Sequence, residues 1–167
     1  MALELKGAVT IGHSESGLFP LEATLINPKG TKGSVVLEPG TCKADVFTDQ
    51  QIAKLSKVPI LVIYGDHLET PSRLFDNIVA FKDCQKFVAR VNAARGNATL
   101  LELPKIGIFG NGHMLMNEKN SNQIADLIMK WIESNVGKRH GHDHDDDDDY
   151  RHDDDHADNN HGWGKRS

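Results

Sequence analysis

Cysteine is scarce in this chain. Cys42 and Cys84 are the two present, too few for the disulfide framework that lets small secreted domains dispense with a large core. They leave the compartment open, and Cys84 reads as a small apolar residue on a helix stripe. Long hydrophobic runs are missing too, since nothing approaches the ~18 consecutive apolar residues needed to cross a bilayer. The opening Met1-Ala-Leu-Glu-Leu-Lys-Gly7 lacks the apolar h-region, ~7–15 residues long, of a signal peptide. As written, the chain reads as soluble and cytoplasmic, with no membrane partner. Surplus positive charge is absent as well: residues 1–137 hold 14 basic and 14 acidic side chains. A neutral body is a poor ligand for nucleic acid, which is set aside as a partner. No internal repeat of useful period appears.

What the chain does have is enough apolar material for one core. It is 167 residues long and 38% hydrophobic, room for a single domain of ordinary size. The formal charge of −5 comes entirely from the C-terminal end. Residues 138–167 carry 10 Asp against 5 Lys and Arg, and almost nothing apolar there offsets chain entropy. The organisation expected is therefore a folded domain over 1–137 and a disordered His/Asp-rich tail over 138–167.

Along the body, short apolar runs alternate with helical patterns, the βαβ rhythm of a parallel sheet covered by helices. The strand candidates are Ala8–Ile11, Ser34–Leu37, Pro59–Tyr64 and Thr99–Leu103, each bounded by Gly or Pro. The first three are continuously apolar or nearly so, as strands buried on both faces are. The final helix is the clearest: Ile124, Leu127, Ile128, Trp131 and Ile132 fall at i, i+3, i+4, i+7 and i+8 behind Asn120, Ser121 and Asn122. A second helix is expected over 75–94, with Phe81, Cys84, Val88 and Val91 on one stripe. Shorter helices are expected over 18–26, where Pro20 fits only the opening turn, and over 49–55.

The strongest chemical signal is Ala8-Val-Thr-Ile-Gly-His-Ser-Glu-Ser-Gly17, an apolar strand running straight into small residues. This is the strand–turn–helix setting of a nucleophile elbow, in which a strained Ser needs small neighbours at −2 and +2 because strand and helix nearly touch. Gly12 and Ser16 supply them, Ser16 standing where a second Gly is usual. A Ser between small residues is also common in α/β loops of no catalytic role. Two further features favour chemistry. Ser34-Val-Val-Leu-Glu38 ends a strand in an acid, at the sheet edge where α/β proteins keep their sites. Phe109-Gly-Asn-Gly-His113 places a His in a Gly-rich loop after the last strand. A hydroxyl needs a base to take its proton, and the base needs an acid to orient it and stabilise its cation. Ser14, Glu38 and His113 occur in the order nucleophile, acid, base. Asp66, in Tyr64-Gly-Asp-His67, is the rival acid; for Asp66 and His67 turn chemistry is the plainer role. His13 reads as a structural or pocket-lining residue, and Met114 and Met116 as packing for the base loop.

The stretches GHSESGLFP, VVLEPGTC, PILVIYGDH and FGNGHMLMNEKN, with an amphipathic final helix, resemble the C-terminal half of a branch of bacterial and fungal serine esterases in the α/β-hydrolase superfamily. In that branch the triad acid is a Glu after the sixth strand. The likeness runs over about residues 7–136. It implies Ser14 as nucleophile, Glu38 as acid, His113 as base and the Glu15 amide as one oxyanion donor, acting on a small-molecule ester without a cofactor. It also implies a partial fold of about four parallel strands with flanking helices, weak or inactive as an esterase because the loop bearing the second oxyanion donor is missing. Strand 8–11 would then be an apolar sheet edge inviting homo-oligomerisation.

The tail offers a competing class of function, a non-catalytic remnant or binding protein. His140, His142, His144, His152, His156 and His161 are interleaved with carboxylates, which suit Zn²⁺, Ni²⁺ or Cu²⁺. No fixed-geometry ligand spacing is present, so the expectation is a weak, multi-site metal binder at most.

Overall fold

The computed structural model describes residues 7–66, 68 and 77–136. The tail, with its six candidate metal-binding histidines, and His67 lie outside the described residues.

Four parallel strands, β1 (Ala8–His13), β2 (Thr31–Leu37), β3 (Ile60–Tyr64) and β4 (Ala98–Glu102), lie side by side in chain order. Between them run α1 (Phe19–Ile26), α2 (Asp49–Leu55) and α3 (Asn77–Ala93), and α4 (Ser121–Asn135) follows. Two of the helix starts follow from the local sequence. Pro20 occupies the first turn of α1, where its missing N–H costs nothing. Thr48 caps α2, its hydroxyl accepting from the Gln51 amide.

The sheet separates two cores. Alternate residues of the central strands, Val36, Ile60, Val62 and Tyr64, join Leu21 of α1, Ile52 and Leu55 of α2, and Phe87, Val88 and Val91 of α3. Their neighbours Val35, Leu37, Leu61 and Ile63 face the other way, with Leu103, Leu115, Ile124 and Ile128. The layering follows from connectivity: parallel crossovers of one hand, between strands taken in order, bring α1 to α3 to the same face, and α4 is left to cover the opposite one. β3, central and covered on both faces, is buried at every position.

β1 differs from the expectation of burial on both faces. It pairs with β2 alone among the described residues, and Ile11 stands 57% exposed. The cysteines also differ from expectation. Cys42, in the loop after β2, and Cys84, on α3, form a disulfide with Cα atoms 4.9 Å apart. Two cysteines 42 residues apart in sequence carry no local signal of pairing; the packing of α3 over the β2–α2 loop brings them together.

The register aligns the strand ends. His13 lies opposite Leu37, and Leu37 opposite Ile63, so the chain leaves β1, β2 and β3 at nearly the same level.

Candidate active site

Ser14 follows β1 directly and opens a 3₁₀ turn, Ser14–Leu18, that leads into α1. Its φ is +59°, a left-handed conformation rare for residues bearing a Cβ and found where structure over-determines the backbone. The turn folds back on the strand so closely that a Cβ on Gly12 would stand 2.4 Å from the Ser16 carbonyl oxygen and 2.7 Å from the Pro20 ring. Only glycine fits there. Ser16, in place of the usual second glycine, turns its hydroxyl to the His13 carbonyl at 2.7 Å. A side chain at this position is thus accommodated by bonding back to the strand.

Glu38 leaves β2 in the same manner, with φ +46°, and its carboxylate is buried. One oxygen, Oε1, accepts the Gly65 amide; the other, Oε2, lies 3.8 Å from Nδ1 of His113. Across the ring, Nε2 of His113 is 2.6 Å from the Ser14 hydroxyl. The three side chains therefore stand in line at the C-terminal edge of the sheet, each from a different element. The 3.8 Å separation is longer than a hydrogen bond, as resting sites often are before charge develops on the ring.

Burial acts on both Glu38 and His113. It pushes the Glu38 carboxyl up to about 7, helped by the nearby Asp66 charge and opposed by the Gly65 amide. It lowers the pKa of His113, as does the proximity of His13. At rest the surroundings favour the uncharged forms of both, and a neutral imidazole can accept a proton.

Asp66 follows β3, and its carboxylate accepts the amides of Gly110 at 2.7 Å and Asn111 at 2.6 Å. Its own amide donates to the Asn111 carbonyl at 3.0 Å. Asp66 thus grips the loop that carries His113. The same loop is tied by the Gly112 amide to Glu118 Oε1 at 3.0 Å. Met114 and Met116 stand 44% and 46% exposed beside this loop rather than buried against it. The Glu15 side chain is exposed, and its backbone amide directly follows the nucleophile position.

Three contacts of the site were not read from the sequence, although His13 itself was expected to be structural or pocket-lining. Asp83, in the middle of α3, accepts from the Thr41 hydroxyl and the Cys42 and Ala44 amides at 2.7–2.9 Å, clamping the loop that leaves Glu38. The Tyr64 hydroxyl donates to the Pro39 carbonyl at 2.8 Å. His13 Nε2 donates to the main-chain carbonyl of His113 at 2.6 Å. A surface cavity of about 480 Å³, lined by Thr31, Lys32, Lys57, Pro59, Asn97 and Asn135 among others, lies at the opposite, N-terminal edge of the sheet and contains none of these groups. No group of three or more potential metal ligands occurs among the described residues.

Four parallel strands with helices on both faces and a strained Ser at the end of a strand form a partial α/β-hydrolase fold. It is similar to a novel bacterial esterase solved at atomic resolution, with 38% identity over 78% of this chain and a TM-score of 0.70. It is also similar to naproxen esterase (carboxylesterase NP) from Bacillus subtilis, with 15% identity over 77% of this chain and a TM-score of 0.52. The chain spans 39% of the length of the first and 60% of the second. No protein-family model and no curated protein sequence matches it.

Proposed function

We propose that this chain carries the acyl-transfer groups of a carboxylic ester hydrolase: Ser14 as nucleophile, His113 as general base, Glu38 as the acid that orients and stabilises the base. The observation that carries this reading is the 2.6 Å contact between His113 Nε2 and the hydroxyl of a Ser held at φ +59°. The similarity to an esterase at 38% identity supports an ester as substrate. In the proposed reaction the Ser14 hydroxyl attacks the ester carbonyl as its proton passes to His113 Nε2. Collapse of the tetrahedral adduct, with that proton delivered to the departing alcohol, leaves an acyl-serine. Water, deprotonated by the same imidazole, then releases the carboxylic acid.

Glu38 serves His113 better than Asp66 does because each is already engaged. Asp66 spends both oxygens on the base-loop amides, whereas Glu38 offers Oε2 to Nδ1. The developing oxyanion would be met by the Glu15 amide. Loss of one oxyanion donor costs ~10²–10³ in turnover, so the placement of this amide bears directly on rate.

A fluorophosphonate probe tests the assignment without requiring turnover, because it reads the activated Ser directly. The purified chain should be labelled at Ser14, and Ser14→Ala should abolish both labelling and hydrolysis of a short-chain chromogenic ester. Labelling that persists in Ser14→Ala, or none in the parent, overturns the reading.

A further inference from the structure

On the assignment of Ser14 as nucleophile and His113 as base, we propose that His13 is a positioning residue: it ties the main chain of the base to the residue that precedes the nucleophile, and so sets the Ser14–His113 distance.

The base sits in a soft segment. Between the 3₁₀ turn Leu103–Ile106 and the short turn Leu115–Asn117, the chain has no regular structure, and Gly107 and Gly110 adopt positive φ. Gly112 adds a third residue without a Cβ. Such a stretch has many conformations of similar energy, and a base misplaced by about 1 Å can lose 10²-fold in rate. The loop is tied at Gly110 and Asn111 by Asp66 and at Gly112 by Glu118. The tie at His113 itself comes from His13, whose Nε2 lies 2.6 Å from the His113 carbonyl oxygen.

A carbonyl oxygen accepts only, so His13 must carry its proton on Nε2 in this contact. The two rings lie 4.9 Å apart between centroids, tilted by 49°, too oblique for stacking to be their purpose. His13 and Ser14 are adjacent in the chain, and His13 is held in the β1–β2 ladder opposite Leu37. Two contacts thus join the same two segments, Ser14 hydroxyl to His113 Nε2 and His13 Nε2 to His113 carbonyl. With both ends of the base anchored on consecutive residues of one strand end, the imidazole keeps little freedom to swing away from the hydroxyl.

The requirement is a donor of the right reach, not an imidazole. Gln extends an N–H about as far as His Nε2, Asn falls one methylene short, and Leu offers no donor. The full chain carrying His13→Gln, His13→Asn or His13→Leu is compared with the parent for the second-order rate of fluorophosphonate labelling at Ser14, alongside thermal melting. We expect His13→Asn and His13→Leu to label at least about tenfold more slowly, and His13→Gln to recover most of the parent rate. A folded His13→Leu that labels at the parent rate overturns the proposal, as does a His13→Gln no faster than His13→Asn. Should His13→Leu fail to fold, the Gln–Asn pair decides. If the parent itself is not labelled at Ser14, the functional reading and the positioning role fall together; parent labelling with indifference to residue 13 removes the positioning role alone.

Discussion

Ser14 and Glu38 hold the same unusual conformation at the ends of neighbouring strands, and each bears a cost that the fold could avoid. The strain at Ser14 comes from its Cβ at φ +59°, so Ser14→Gly should raise stability by about 1 kcal/mol while abolishing probe labelling. Denaturant midpoints beside the labelling assay check both halves. For Glu38 the cost is electrostatic. Its carboxyl titrates near 7 when folded because burial penalises the anion, against an ordinary value near 4.5. The folded state therefore holds this proton more tightly than the unfolded one. The associated stability is fully present below about pH 4.5 and is lost as pH rises through 7. Glu38→Gln, which never bears the charge, should be more stable than the parent at pH 8, by on the order of 3 kcal/mol, and close to it at about pH 4.5. Chemical denaturation at the two pH values reads the difference. The same variant should slow Ser14 labelling, since His113 loses the anion that would stabilise its cation.

The elements matter through the loops they pin. α3 reaches across to the β2–α2 loop by two independent devices, the Asp83 carboxylate and the Cys42–Cys84 disulfide. Arg90 of the same helix adds bonds to the Phe47 carbonyl at 2.8 Å and to Asp49 at 2.6 Å. This loop leaves directly from Glu38, so the ties that stabilise the domain also hold Glu38 in place. Closing a loop of 42 residues in sequence separation restricts the unfolded chain by roughly 3–4 kcal/mol in the chain-entropy account. Reducing the disulfide should lower the guanidinium midpoint by a matching amount, and Cys42→Ser/Cys84→Ser should reproduce the reduced form without reductant. A midpoint indifferent to reductant would show that packing of Cys84 in the core, not the bond, carries the stability.

Across the whole molecule the sheet is asymmetric. β1 and β4 are both edge strands among the described residues, but β4 leads into the loop bearing His113, whereas β1 leaves Ile11 57% exposed. An apolar edge with unpaired backbone groups is a template for association. The 167-residue chain should therefore associate as its concentration rises, and Ile11→Lys should reduce that association without loss of Ser14 labelling. Sedimentation velocity across a concentration series measures it. Sedimentation as a monomer throughout would show that the edge is covered by something else in the chain.

Patterns of short range were sufficient for much of this. Short apolar runs bounded by Gly or Pro located the four strands, and helical patterns the four α-helices, of the described residues to within a few positions, with α2 at its observed bounds, because local burial needs no distant partner to be read. The elbow was legible for the same reason: Gly12, Ser14 and Ser16 are neighbours, and their sizes alone meet the local crowding. The order Ser14, Glu38, His113 was legible as well; between Glu38 and Asp66, acids that follow adjacent strands, local patterns did not discriminate and only the family resemblance favoured Glu38. How each acid is engaged depends on where the loop bearing His113 folds: Asp66 accepts the Gly110 and Asn111 amides, while Glu38 Oε2 lies 3.8 Å from His113 Nδ1. The disulfide, the Asp83 clamp and the His13 tie join residues 42, 39–42 and 100 positions apart. Each depends on the order and register in which the strands assemble, and no periodicity along the chain encodes a meeting between two loops.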